Sequence, residues 1–395
     1  MPSIRKIGVA AAATAISVGA VVGARATGRH LVARAERQRC VTSVPPPYDA
    51  SARARELHVT LEVVDLHADS LFWGRDLLDR GTQGQVDIPR LLEGNVALQV
   101  LAASTKSPRH LNIERNDDTT DDVLFVAIGG GWPPATYRSL LARAVHLADR
   151  GVYLEEHGEG RFRLIRSRAD LATYRADRAA DRGMTAGLLA IEGAHALDDD
   201  PANVDVLFEA GYRMMSMSHF FDNAFGGSAH GVDKGGLTDA GRQVIARMER
   251  LGMVVDVSHA SAATIDDVLA VATRPLLVSH TGVRGTADNA RNLSDDHLRG
   301  IAATGGVIGI GFWDIATGGS DVASIARAIA YAADVAGVDH VALGSDFDGA
   351  VTVPIDATGL VQITDALLEL GWDEISVAKA MGANALRVLD EVLPA

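Results

Sequence analysis

A chain of 395 residues with 47% hydrophobic and 22% charged side chains has the composition of a folded globular protein, which excludes a disordered or fibrous chain. Its 37 basic against 51 acidic side chains leave a formal charge of -14, which repels polyanions and speaks against a nucleic-acid partner and for a small substrate. The single cysteine, Cys40, rules out an internal disulfide and a thiolate cluster, so any metal has to be held by histidines and carboxylates.

At the N-terminus Arg5 and Lys6 precede a run from Ile7 to Ala24 that carries no charge. This is the composition of a signal peptide or a membrane anchor, so the expected location is exported or membrane-anchored. Ala24-Arg25-Ala26 offers small residues at a cleavage point, whereas Arg25, Arg29, Arg34, Arg37 and Arg39 favour retention on the cytoplasmic side, and topology stays open between the two. Residues 1–40 are therefore read as a targeting and basic segment, 41–54 with Pro45-Pro46-Pro47 as a stiff linker, and 55–395 as the folded domain.

From there short apolar runs alternate with amphipathic segments, the pattern of repeated βα units around a parallel sheet. Strands are predicted at 61–66, 96–101, 187–191, 213–218, 253–257, 276–279, 307–311 and 341–344. Helices separate them, for example at 237–251 with Val244, Ile245 and Met248 on one face and at 323–336 with Ile325, Ile329 and Ala332 on another. Eight parallel strands with crossovers predict an α/β fold of the (β/α)8 TIM-barrel type; a Rossmann sheet lacks its glycine fingerprint after the first strand. The connection at about 102–185, which includes Gly129-Gly130-Gly131-Trp132, is far longer than a barrel crossover needs. It is expected to be a lid over the mouth, or else an outer layer that packs on the barrel or contacts a second copy in a homodimer.

Candidate chemistry falls at the C-terminal ends of these strands, the catalytic face of such a barrel. The first strand runs into His67-Ala68-Asp69, where residues two apart point the same way and can grip one cation. The third ends at Glu192-Gly193, a carboxylate with two oxygens that could bridge two ions. The fifth and sixth both end in Ser-His, at His259 and His280, a natural nitrogen pair for zinc. His219, after the fourth strand, could be a sixth ligand, and is read first as a contact for the substrate carbonyl and its oxyanion. Asp346, with Asp348 beside it, follows the eighth strand; one of the two can take and return a proton.

These residues carry a pattern. From about residue 60 onward the chain resembles the renal, or membrane, dipeptidase family of zinc peptidases. The resemblance rests on His67-Ala68-Asp69, Ile191-Glu192-Gly193, His219 with Asp222-Asn223, Val257-Ser258-His259, Ser279-His280, Ala290-Arg291-Asn292-Leu293, Gly344-Ser345-Asp346-Phe347-Asp348-Gly349 and Asn384-Ala385-Leu386-Arg387-Val388. It implies a metallo-dipeptidase acting on free dipeptides, with two Zn(2+) ions per chain. One would be held by His67, Asp69 and Glu192, the other by Glu192, His259 and His280, with a hydroxide between them. It further implies His219 as oxyanion contact, Arg291 as clamp for the substrate carboxylate, and Asp346 as proton shuttle. Many relatives carry Asn where this chain has Ala68, and Ser70 follows the Asp; neither is a ligand position. The alternatives are another barrel amidohydrolase, such as a deaminase, lactonase or phosphotriesterase, or a membrane-anchored metal-binding protein without catalysis. His-x-His opens those enzyme families, and here the motif is His-Ala-Asp.

Overall fold

The computed structural model describes residues 26–395, and the apolar run expected at the N-terminus lies outside them. Among the described residues no helix is long and apolar enough to cross a membrane.

Each of the eight expected strands forms: β1 Val63–Ala68, β2 Val96–Ser104, β3 Thr185–Glu192, β4 Tyr212–Ser216, β5 Val254–Asp256, β6 Leu277–Thr281, β7 Val307–Ile310 and β8 Val341–Leu343. They pair in the order β2-β1-β8-β7-β6-β5-β4-β3, all parallel, and β3 pairs back onto β2. The sheet is thus a closed ring, the (β/α)8 barrel. β2 runs past its predicted end because Ala102, Ala103 and Ser104 stay in register with Ala190, Ile191 and Glu192. At the seam between the first strand and the last, Asp65 accepts the Ser345 N–H and the Ser345 hydroxyl, both at 2.7 Å, and Gln99 Nε2 at 2.6 Å.

The connection between β2 and β3 divides into two parts. Its first part carries α1, Val123–Gly130, beside the mouth of the barrel. Its second part packs outside, as α2, Leu140–His157, then a short strand Phe162–Leu164 alongside β3, then α3, Arg168–Ala180. Further on, α4, Asp239–Leu251, starts where the Thr238 hydroxyl accepts the Gly241 N–H, and stops at Gly252 with φ 76. Its Val244, Ile245 and Met248 are buried, each contributing roughly 1.5–3 kcal/mol. α5, Val322–Ala336, is capped by Asp321 and buries Ile325, Ile329 and Ala332.

Inside the ring an apolar layer includes Val64, Leu66, Leu98, Val100, Leu188, Ala190, Met214, Val254, Leu277, Val307 and Ala342, with at least one residue from every strand. Leu386, Val388 and Leu389 of α6, Asn384–Val392, join it. Arg387 reaches the carbonyls of Gly305 and Asp339, and Asn384 those of Val338 and Val341, all at the starts of β7 and β8. α6 is therefore the floor of the barrel, and the opposite end is left for chemistry.

The segment read as a linker is instead part of the fold. Val41–Thr42 pairs in parallel with Thr352–Val353, and Tyr48 is buried, its hydroxyl accepting the Asp356 N–H at 3.0 Å. Prolines remove their own donors, but the residues around them keep theirs, and these find partners near the C-terminus. Before it a helix at 26–39 rests on the barrel through Glu36, whose carboxylate takes Arg75 Nε at 2.5 Å and is buried. Arg75 also pairs with Asp348. Replacing Arg75 by Ala leaves two buried carboxylates without their cation, and unfolding in denaturant is expected to show a loss of about 3–5 kcal/mol. A midpoint within error of the parent would show that this ion pair does not tie the helix to the barrel.

Candidate metal centre

The five expected ligands meet at one rim. By strand alternation Ala186, Leu188, Ala190 and Glu192 share the inward face, so Glu192 stands on top of the apolar layer. Its Oε1 lies 3.5 Å from His67 Nε2, 3.3 Å from His259 Nε2 and 3.5 Å from His280 Nε2. His67 Nε2 is 3.5 Å from Asp69 Oδ2 and 4.0 Å from Asp346 Oδ1. His219 Nε2 approaches Glu192 Oε2 at 3.3 Å. Three overlapping groups of donors result: His67, Glu192 and His280; Glu192, His219 and His259; His67, Asp69 and Asp346. His219 thus stands among the ligand candidates as well as beside the position expected for a substrate carbonyl.

Local backbone aims these groups. His259 and Asp346 both have φ 61, the left-handed region that costs a non-glycine residue about 1–3 kcal/mol and clusters at functional sites. Gly193, with φ 98, turns the chain after Glu192 and gives its N–H to Ser216 Oγ at 2.7 Å. The repeated Ser-His has a purpose that the sequence did not reveal. Asp256 accepts the Ser279 hydroxyl at 2.6 Å, so the Ser279 oxygen accepts from His280 Nδ1 at 2.9 Å. With Nδ1 protonated, His280 presents the lone pair of Nε2 to the cluster. Ser258 Oγ, 3.0 Å from Ser279 Oγ, completes the support.

The electrostatics describe a place built for positive charge. Burial pushes Glu192 well above the usual carboxylate range and Asp69 adds to the rise, against His67. Burial likewise carries Asp346 up to about 8, with Asp69 raising it further and His67 opposing. At His67 burial favours the neutral ring, but Glu192, Asp69 and Asp346 outweigh it and lift the imidazole to about 10. Burial, helped by Arg291 and neighbouring rings, holds His219, His259 and His280 neutral. Both ring nitrogens of His67, Nδ1 of His259 and Oδ1 of Asp69 are buried without a hydrogen-bond partner. Neutral imidazoles and crowded carboxylates with unused lone pairs fit divalent cations of the zinc type.

Arg291 is brought to the same cavity. Its guanidinium donates to the His280 carbonyl at 2.5 Å and to Thr281 Oγ1 at 3.2 Å, while its Nε is buried and unpaired. Burial lowers it to about 10. Asp348, weighed with Asp346 for the proton-transfer role, belongs elsewhere: it accepts from Ser70 Oγ at 2.6 Å and Gln85 N at 2.7 Å and pairs with Arg75. Asp222 and Asn223 also stand outside the cluster. Asp222 takes the backbone N–H groups of Ser228 and Asp233, and Asn223 takes that of Phe225, so both shape the loop after His219. His230 was missed from sequence. It lines the cavity with Nδ1 2.8 Å from the Ile113 carbonyl and Nε2 unpaired, and no strand-end signal marks it.

Comparison with known proteins places the chain in a family. The family model described as membrane dipeptidase, peptidase family M19, matches residues 51–394. Dipeptidase verJ of Clonostachys rogersoniana is 29% identical over 364 residues, 87% of each chain. A solved metallopeptidase structure, dipeptidase AC, superposes with TM-score 0.71 at 26% identity, covering 85% of this chain and 100% of that one. A metallopeptidase from Rhodobacter sphaeroides, solved with a phosphinate mimic of the dipeptide L-Ala-D-Ala, superposes with TM-score 0.68 at 25% identity over 84% of this chain and 99% of that one.

Proposed function

This chain belongs to the membrane dipeptidase family, a family of metallopeptidases, and on that premise we propose that it hydrolyses free dipeptides at two zinc ions that share Glu192. The observation that carries the reading is a single carboxylate oxygen, Glu192 Oε1, facing three imidazole Nε2 atoms from three different strand ends at 3.3–3.5 Å. His67, Asp69 and Glu192 would hold one ion, and Glu192, His259 and His280 the other. When bound, such a pair supplies an activated water at neutral pH and polarises the scissile carbonyl.

The remaining steps fall to the chain's own side chains. Arg291 has a rigid fork with a free Nε edge, which suits bidentate capture of the substrate's terminal carboxylate. His219, neutral and buried, stabilises the carbonyl oxygen as it gains charge. Asp346, whose Oδ1 stands 4.0 Å from His67 Nε2, takes the proton of the attacking water and returns it to the departing amine. Because Arg291 recognises a terminal carboxylate, the bond cleaved is the one next to the substrate's C-terminus.

Chelation of the purified protein is expected to abolish turnover of a free dipeptide, and zinc to restore it. Amidating the dipeptide's carboxylate should raise KM sharply. Undiminished rates in metal-free protein would overturn the metal mechanism, and equal KM for acid and amide would remove Arg291 from its role.

A further inference from the structure

The cavity over the metal centre has a volume of about 840 Å³, near the upper end of the roughly 300–1,000 Å³ that accommodates drug-sized ligands and more than two small residues require. The extra room has a defined lining. Glu192, His219, His259, His280, Arg291 and Asp346 form its base, while the helix at 26–39, the loop at 109–113 and α1 form its outer wall. On that wall Leu31, Leu111, Phe125 and Ile128 are 57%, 42%, 58% and 53% exposed, four of the twelve large apolar side chains that face solvent among the described residues. Arg109 and Asp122, the charges beside Phe125, pair with each other at 3.2 Å and are not left over for a polar substrate. The helix at 26–39 precedes the matched family region, which begins at residue 51.

The order of strands says which end of a substrate meets the wall. In the ring β2 stands four places from β6, directly across the barrel. α1 follows β2, and Arg291 is bonded to the end of β6 through the His280 carbonyl and Thr281. A dipeptide whose carboxylate is held at Arg291 and whose carbonyl lies over the metal centre therefore extends its amino-terminal residue toward α1 and the helix at 26–39.

We propose that this wall receives a large apolar side chain on the amino-terminal residue of the substrate, making the enzyme selective for dipeptides that begin with residues such as Leu, Phe or Trp. The proposal rests on the dipeptidase reading and on Arg291 as the carboxylate site. The occupant is the substrate because the apolar wall and the metal centre line one continuous cavity.

The experiment is a series of X-Ala dipeptides, with X as Gly, Ala, Leu, Phe and Trp, assayed with the zinc-loaded full chain. The value of kcat/KM is expected to rise roughly ten- to a hundredfold from Gly-Ala to Phe-Ala, as burial of a large apolar side chain allows. Leu31→Asn combined with Phe125→Asn changes two exposed residues, and should bring the Phe-Ala to Gly-Ala ratio down toward one. A flat series with measurable turnover overturns the wall assignment and leaves the dipeptidase reading standing; turnover of no member overturns both. A ratio unmoved by the double substitution also overturns the assignment. If instead the double variant speeds every substrate alike, the wall is covered by the chain's own apolar run at 7–24. If it converts a dimer to a monomer with the ratio unmoved, the wall is covered by a second copy. Either result overturns the proposal.

Discussion

Glu192→Gln is expected to strip the protein of bound metal and to lower kcat/KM on a free dipeptide by more than the roughly 10–100-fold that loss of a supporting partner around a metal usually costs. The amide keeps the size of the side chain but carries no charge and offers one acceptor oxygen in place of two. Three imidazole nitrogens now face Glu192 Oε1, and its Oε2 faces His219. Among the described residues no other carboxylate is positioned to replace it, since Asp69 and Asp346 group with His67 and not with His259 and His280. Metal analysis of the variant by mass spectrometry reads the effect directly. Two ions per chain in Glu192→Gln would show that Glu192 is not shared between them.

Asp346→Asn has the opposite signature. Here kcat should fall by roughly 10²–10⁴, the usual contribution of a positioned acid-base group, with metal content and KM close to the parent. Asn preserves the shape and the left-handed turn at φ 61, a conformation that Asn tolerates well, so the fold is not put at risk. What it removes is the ability to hold and release a proton. A variant that retains both metal and rate would take Asp346 out of proton transfer, and one that loses metal would make it a ligand through its group with His67 and Asp69.

The barrel could be read from sequence because its strands are buried on both faces, and such strands appear as uninterrupted apolar runs. The five ligand candidates were legible for a related reason: each sits where an apolar run ends in a polar residue. Alternation along an extended chain, however, gives no reason to separate Asp346, read as the proton shuttle, from Asp348 beside it. Both have positive φ, 61 and 60, so the backbone turns between them and sends the second to Arg75 and Ser70. The place of residues 26–54 was hidden because their partners, Arg75, Asp348, Thr352 and Asp356, lie far along the chain, and only tertiary structure pairs such groups. Arg291 was found by family resemblance alone, since its position depends on the loop after β6 and follows no periodicity.

The seam that joins Asp65 to Ser345 has a consequence for how the protein is made. The first strand of the ring waits for the last, and the floor helix comes later still, so a chain leaving the ribosome holds His67 and Glu192 long before it can close around them. Contacts so remote in sequence are slow to find. The ring, and with it the candidate metal centre, can therefore close only once the last strand, Val341–Leu343, has been made.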